Sequence, residues 1–174
     1  MAESAEIQHA TPDQLLARLA ELDISAETQT HAPVMTVDES RRLRGEIQGA
    51  HAKNLFLKDK KQALWLVVAE ESQVVDLKRL RPLIGSAALS FGSAELLQDV
   101  LGVTPGAVTP FAVINDILGK VTVVLDLALV SAPKVNFHPL INSRTTTVDS
   151  AGLLAFLQAQ DHDPLIIDFS IPVA

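Results

Sequence analysis

The chain has no cysteine and no tyrosine, and its aromatic residues are one tryptophan and six phenylalanines, 4% of the total. Without cysteine there is no disulfide framework, no thiolate nucleophile and no cysteine zinc site. Because 48% of the residues are nevertheless hydrophobic, the core has to be built from Leu, Val, Ile and Ala. No apolar run approaches the roughly 20 residues of a membrane span. The first residues, Met1-Ala-Glu-Ser-Ala-Glu-Ile7, are acidic and lack the apolar centre of a secretion signal, so a cytoplasmic location is expected. Positive charge is also short, with 14 Lys and Arg against 21 Asp and Glu and a net charge of −7. Phosphate neutralisation draws on Lys and Arg, so a general nucleic-acid binder is not expected, and neither is a DNA partner.

Histidine is sparse as well. His9, His31, His51, His138 and His162 are dispersed, with no H-x-x-x-H or H-E-x-x-H pair, and no metal is expected. Asp161-His162-Asp163 follows the last predicted helix and reads as a solvated loop. Gly45 and Gly49 lack the G-K-[ST] ending of a phosphate loop. Gly85-Ser86 and Gly92-Ser93 lack the G-x-S-x-G elbow, which disfavours a covalent serine mechanism.

What is present is an alternation of helices and strands without an internal repeat or linker, so residues 1–174 read as one domain. Thr11-Pro12-Asp13-Gln14 is a capping box with proline at the first helical position, followed by the stripe Leu15, Leu16, Leu19 and Leu22. Thr36-Val-Asp-Glu39 predicts a second helix toward Arg44. Leu55 and Leu57 alternate with Asn54, Phe56 and Lys58, break at Asp59-Lys60-Lys61-Gln62 and resume as the apolar run Ala63 to Ala69. This is a β-hairpin. Further helices are expected over Asp76 to Ile84, stopped at Gly85, and over Ala94 to Leu101, capped by Ser93 and stopped at Gly102, with a last one over Ser150 to Ala159. Strands are expected over Ala87 to Phe91, Phe111 to Ile114, Lys120 to Leu125, Lys134 to Phe137 and Thr145 to Val148. Leu165 to Ser170 reads either as a strand or as an ordered tail. The class is α/β, or α+β, with a mixed sheet.

Basic residues gather in three places: Arg41, Arg42 and Arg44 before the hairpin, Lys58, Lys60 and Lys61 on its turn, and Lys78, Arg79 and Arg81 on the following helix. Each cluster reads equally as a solvated face. Lys53 stands apart, at the mouth of the most apolar hairpin in the chain. Most lysines lie in solvent, whereas this one is placed to face a pocket. Gly106-Ala107-Val108-Thr109-Pro110 puts glycine where a backbone can approach a ligand and proline where the loop leaves rigidly. By itself it is also an ordinary connection.

Taken in order, His31-Ala-Pro-Val-Met35-Thr36, Lys53-Asn54-Leu-Phe-Leu57, Gly106 to Pro110, Val121 to Asp126 and Phe137-His138-Pro139 with Asn142 and Thr145 resemble the free-standing prolyl-tRNA editing domains of the YbaK superfamily. The resemblance runs from about His31 to about Leu157, and is nearest to the type that deacylates alanyl-tRNA(Pro). It implies a compact, barrel-like mixed sheet with surrounding helices, and hydrolysis of the ester between an amino acid and the terminal ribose of tRNA by non-covalent water attack, without a cofactor. The matching lysine is the residue on which deacylation depends, which makes Lys53 the first catalytic candidate. Its role is either to hold the terminal phosphate or developing oxyanion, or to act as a base. Asn54 becomes a candidate for holding the substrate amine, carbonyl or water, and His138 for orienting the aminoacyl group or a water. The backbone amides near Gly106, Ala107 and Val108, in the loop closed by Thr109 and Pro110, become candidates for the carbonyl or the terminal adenosine. His31 either belongs to the pocket or organises its loop. Val34, Met35 and Phe137 are candidate walls.

Such a pocket has a physical purpose. A synthetase site built for proline cannot strongly reject the smaller alanine, since missing methylenes are worth only about 1–3 kcal/mol. A second pocket too small for proline can remove the error. The implied partner is the acceptor end of tRNA(Pro) carrying alanine, with prolyl-tRNA synthetase as a further partner. A sister activity on cysteinyl-tRNA(Pro) or another small aminoacyl ester, and a non-catalytic tRNA or amino-acid binding module, are the alternative readings.

Overall fold

The computed structural model describes residues 8–33, 42 and 47–170. Apart from Arg42, the expected helix from Thr36 toward Arg44 lies outside them. Helix α1 (Pro12–Glu21) starts as its sequence dictates: the Thr11 hydroxyl accepts the Gln14 N–H at 3.1 Å and the Gln14 side chain takes the Thr11 N–H at 2.9 Å. Its Leu15 and Leu19 are fully buried. β1 (Ala26–Thr30) follows, then the long β2 (Ala50–Asp59) and β3 (Leu64–Glu70), which form the expected hairpin with Leu55 opposite Val67 and Leu57 opposite Trp65. Asp59 closes the turn by accepting the N–H groups of Lys61 and Ala63, and its second oxygen accepts that of Ala87.

The remaining elements are α2 (Leu77–Ile84), β4 (Leu89–Phe91), α3 (Ala94–Leu101), β5 (Val121–Asp126), α4 (Leu127–Val130), β6 (Lys134–Phe137), β7 (Arg144–Asp149), α5 (Ser150–Ala159) and β8 (Leu165–Ile167). They form an eight-stranded mixed sheet in the order β1-β7-β6-β2-β3-β5-β8, with β4 paired to β2. Strand alternation divides the interior. Phe56, Leu66, Val68, Val123, Leu125, Val135 and Phe137 join α1, α3 and α5 in the main core. Leu57, Trp65, Val67 and Val124 face the other way and pack with Leu80 and Ile84 of α2.

Two expectations are corrected. Phe111 to Ile114 is not a strand but part of a 3-10 segment, Pro110–Asn115. Pro110 cannot donate to a ladder, and the apolar run is buried on all sides, with Phe111 edge-on to both Phe137 and Phe156. Nor is Asp161-His162-Asp163 a solvated loop throughout. The His162 side chain is 3% exposed, and its Nε2 lies 2.8 Å from the equally buried carboxylate of Asp116. Asp116 also accepts the N–H groups of Lys120 and Val121, while His162 Nδ1 meets the carbonyl of Gln160. The partner stands far away in sequence, so no local pattern shows it.

Both acceptors around His162 lack hydrogens, so both ring nitrogens donate and the imidazole is held as the cation. Burial by itself disfavours that form, but the Asp116 hydrogen bond and the Gln160 carbonyl outweigh it and raise the His162 pKa above its usual value. For Asp116, burial pushes upward and the His162 and backbone hydrogen bonds prevail, lowering its pKa. The pair therefore stabilises the fold fully below the ordinary histidine value of about 6.5 and loses that contribution as pH rises through the raised value of His162. On the acid side the contribution fades as pH falls through the lowered value of Asp116. Removing one member leaves a buried charge uncompensated, so His162→Gln is expected to cost about 3–5 kcal/mol. Denaturant unfolding against pH should show that cost at pH 6 and a shrinking difference from wild type in mildly alkaline buffer.

Candidate functional site

β2 and β6 run parallel but pair at only two positions, Ala50 with Val135 and His51 with Asn136. Farther along, β4 occupies the same edge of β2 from Leu57 to Asp59. Between these pairings, no strand among the described residues pairs with the edge of β2 from Ala52 to Phe56. The Phe56 carbonyl points to this side, where it accepts the Gly92 N–H at 2.9 Å. By the two-residue period of a strand, the backbone N–H and C=O of Asn54 point the same way.

The paired end of β2 and β6, from which the two strands part, is held by one side chain. Buried Asn136 donates through Nδ2 to the carbonyls of Gln48 (2.9 Å) and Ala50 (3.2 Å), and its Oδ1 accepts the Thr147 hydroxyl. Gly49 allows this approach. It has φ +106°, and a Cβ there would stand 2.9 Å from Asn136 Nδ2 and 3.0 Å from the Lys134 carbonyl, so a larger residue is excluded both sterically and by backbone conformation. His51 is tied back to the Ile47 carbonyl at 3.1 Å.

Alternation and register then sort the candidates. His51 and Lys53 of β2, Asn136 of β6, and Thr145 and Thr147 of β7 project from one face of the sheet, opposite the main core. A stride of two residues carries β2 from His51 to Lys53 and the chain after β6 from Asn136 to His138. Both leave the last paired level in the same direction. Lys53 and His138 are each half-buried. His31 joins this face because its Nε2 meets the Thr145 hydroxyl at 2.8 Å, while its Nδ1 donates to the Ala32 carbonyl. The His31 and His138 rings are 6.4 Å apart and tilted by 56°.

Asn54 falls on the opposite face of β2, beside Phe56. It lines a cleft with Leu55, Phe91, Gly92, Pro105 and Val108, and its Oδ1 is buried without a hydrogen-bond partner among the described residues. The 106–110 loop joins two 3-10 turns through Val108 and Thr109, whose backbone is extended. Pro105–Ala107 forms a 3-10 turn with Ala107 buried, while Thr109 and Pro110 are also buried and begin the next turn, where the Thr109 hydroxyl accepts the Phe111 N–H. Exposed Gly106 faces the 138–143 segment, for a Cβ there would lie 3.2 Å from Asn142 Nδ2. Met35 and Val34 lie outside the described residues, and Phe137 is a core residue at 3% exposure. Asn136 and Thr147 were not singled out from sequence. Their importance arises from pairing between distant strands, although asparagine inside an apolar strand is a usable signal.

His138 Nδ1 is 2.9 Å from the Arg144 carbonyl, which can only accept, so Nδ1 carries a proton. Burial, opposed by that hydrogen bond and reinforced by the nearby charge of His31, lowers the His138 pKa from its usual value. The ring is thus neutral at pH 7 and its Nε2 offers a lone pair.

This mixed-sheet domain falls in a known class. The family model described as "Aminoacyl-tRNA editing domain" matches residues 31–156, which include His31, Lys53, Gly106 to Pro110 and His138. The chain belongs to this family. Within it, the chain is 41% identical over 146 residues to the prolyl-tRNA editing protein ProX of Acetoanaerobium sticklandii, covering 83% of this chain and 89% of that protein. It is 38% identical over 157 residues to the prolyl-tRNA synthetase associated domain-containing protein 1 of Bos taurus, covering 87% and 91%. A solved structure described as a candidate trans-editing enzyme for prolyl-tRNA synthetase superposes with a TM-score of 0.66 at 17% identity, covering 92% of this chain and 98% of the other, and supports the fold.

Imidazole titration by NMR tests the electrostatics. His138 is expected to titrate below the usual histidine value of about 6.5, and His31→Asn, which removes the neighbouring ring, should raise its midpoint.

Proposed function

We propose that this protein is a trans-editing hydrolase that removes alanine from mischarged tRNA(Pro). The observation that carries the proposal is the common origin of Lys53 and His138 at the point where β2 and β6 part. An aminoacyl ester is already reactive, so the site has to position water, stabilise the tetrahedral oxyanion and let the ribose oxygen leave. In this reading Lys53 Nζ donates to the developing oxyanion or to the terminal phosphate. His138 Nε2, neutral and fixed by the Arg144 carbonyl, accepts a hydrogen bond from the attacking water and orients it. His31 and Thr145 hold the neighbouring wall. Water adds to the ester carbonyl, the carbon–oxygen bond to the ribose breaks, the proton given up by the water goes to the departing ribose oxygen, and free alanine and tRNA are released. No covalent intermediate and no cofactor is required.

The relatives named for prolyl-tRNA editing and for association with prolyl-tRNA synthetase support the reading of tRNA as substrate and of a synthetase as partner, and a cytoplasmic role in translation accords with it. Alanine selectivity is attributed to a pocket that excludes the larger proline ring, with Met35 among its walls. Asn54 enters from the other face of β2 and contacts the substrate at the strand edge.

Deacylation of alanyl-, cysteinyl-, seryl- and prolyl-tRNA(Pro), with alanyl-tRNA(Ala) as control, is the direct test. The alanyl ester of tRNA(Pro) is expected to be lost selectively, with Lys53→Ala slower by at least about 10²-fold, the scale of losing one transition-state donor, and His138→Ala slower by about 10-fold or more. Preference for the cysteinyl ester would overturn the alanine assignment, and no hydrolysis of any ester by folded protein would overturn the enzyme reading.

A further inference from the structure

In a chain so poor in aromatic residues, one of them is left in water. Phe56, Trp65, Phe111, Phe137 and Phe156 are buried and Phe169 is partly buried, whereas Phe91 is 61% exposed. Phe91 ends β4 opposite Leu57, which puts it on the same face of β2 as Lys53 and Leu55, about 13 Å along the strand from the lysine at ~3.3 Å per residue. It also borders the open edge of β2, in the cleft that contains Asn54, Leu55, Pro105 and Val108.

The second observation in that cleft is Asn54 Oδ1, a buried acceptor with no partner among the described residues. Buried acceptors are rarely left unmade, because desolvation without a hydrogen bond is costly. An exposed aromatic ring beside an unpaired carbonyl oxygen calls for a flat apolar ligand with an N–H donor on its rim. The charge nearby agrees with a phosphate-bearing one: Lys60 N–H bonds the Ala88 carbonyl just before β4, Lys58 pairs with Ser90, and α2, which packs on β4, carries Lys78, Arg79 and Arg81.

We infer that the cleft between Phe91 and Asn54 receives a nucleobase bearing an exocyclic amine, stacked on the Phe91 ring with its amine donating to Asn54 Oδ1. Stacking on an aromatic side chain tolerates any base; the asparagine oxygen selects adenine or cytosine over the bases that carry a carbonyl in the same position. The inference rests on the proposed function only in taking the base to belong to the single-stranded end of the substrate RNA. A base held here and an ester held at Lys53 would meet across the open edge of β2, so the nucleobase site would set how far the aminoacyl group reaches.

NMR titration of the protein with AMP, IMP, CMP and UMP tests it without depending on hydrolysis. Each pair exchanges an amine for a carbonyl on the same ring. AMP is expected to bind several-fold more tightly than IMP, or CMP than UMP, with the pair that discriminates naming the base, and with shifts at residues 54, 91–92 and 105–108. Phe91→Ala should weaken all four nucleotides about 10-fold, Phe91→Tyr should restore binding, and Asn54→Leu should abolish the amine preference. Because Phe91 is exposed, its variants should keep the wild-type unfolding midpoint. Equal affinity within both pairs, unchanged binding by Phe91→Ala, or shifts confined elsewhere would overturn the inference. Nucleotide discrimination without ester hydrolysis would preserve this site and remove the deacylase reading; hydrolysis without discrimination would do the reverse.

Discussion

The site depends on a pairing that stops early. β2 and β6 are held together at two residue levels and then separate, and the bonds that set this arrangement converge on Asn136: two donated to the backbone before and at the start of β2, one accepted from Thr147 on β7. Every polar atom of that carboxamide is used, so the cost of burying it is offset. What the clamp secures is a gap in a sheet. An edge of β2 that would otherwise be zipped to a neighbour is left open within an ordered frame, and Lys53 and His138 emerge beside it.

An open strand edge is normally a liability, since unpaired N–H and C=O groups invite another chain. Here it is short, flanked by β6 at one end and β4 at the other, and bordered by the compact 3-10 turn of residues 105–107. The exposed backbone is therefore too brief to template a strand and well placed to meet a small ligand. The same opening gives the site two faces. One is polar, built from His31, His51, Lys53, Asn136, Thr145 and Thr147; the other is an apolar cleft around Asn54. A substrate combining a charged, reactive ester with a flat heterocycle has use for both.

The electrostatics of buried His162 and half-buried His138 show how one residue type is given opposite tasks. His162 faces a carboxylate and a carbonyl, both acceptors, and is kept as a cation that braces the turn before β5 against the C-terminal segment. His138 faces one carbonyl and a second histidine and is kept neutral. Burial acts in the same direction on both rings. Their partners decide the outcome.

The amino-acid sequence by itself determined the helices with caps, the β2–β3 hairpin and the family-like order of landmarks, because capping boxes, glycine stops and two-residue alternation are written in neighbouring residues. It also determined that Lys53 had unusual surroundings, since a charge at the mouth of an apolar strand conflicts with its local pattern. Tertiary structure alone decided that Phe111 to Ile114 would coil into a 3-10 segment, that His162 would leave the solvent for Asp116, and that Lys53 and Asn54, adjacent in the chain, would serve opposite faces of the sheet. It alone made Asn136 the clamp and left Phe91 uncovered. Each of these outcomes turns on a partner tens of residues away, and on which strand ends beside which, and periodicity within a segment contains no information about either.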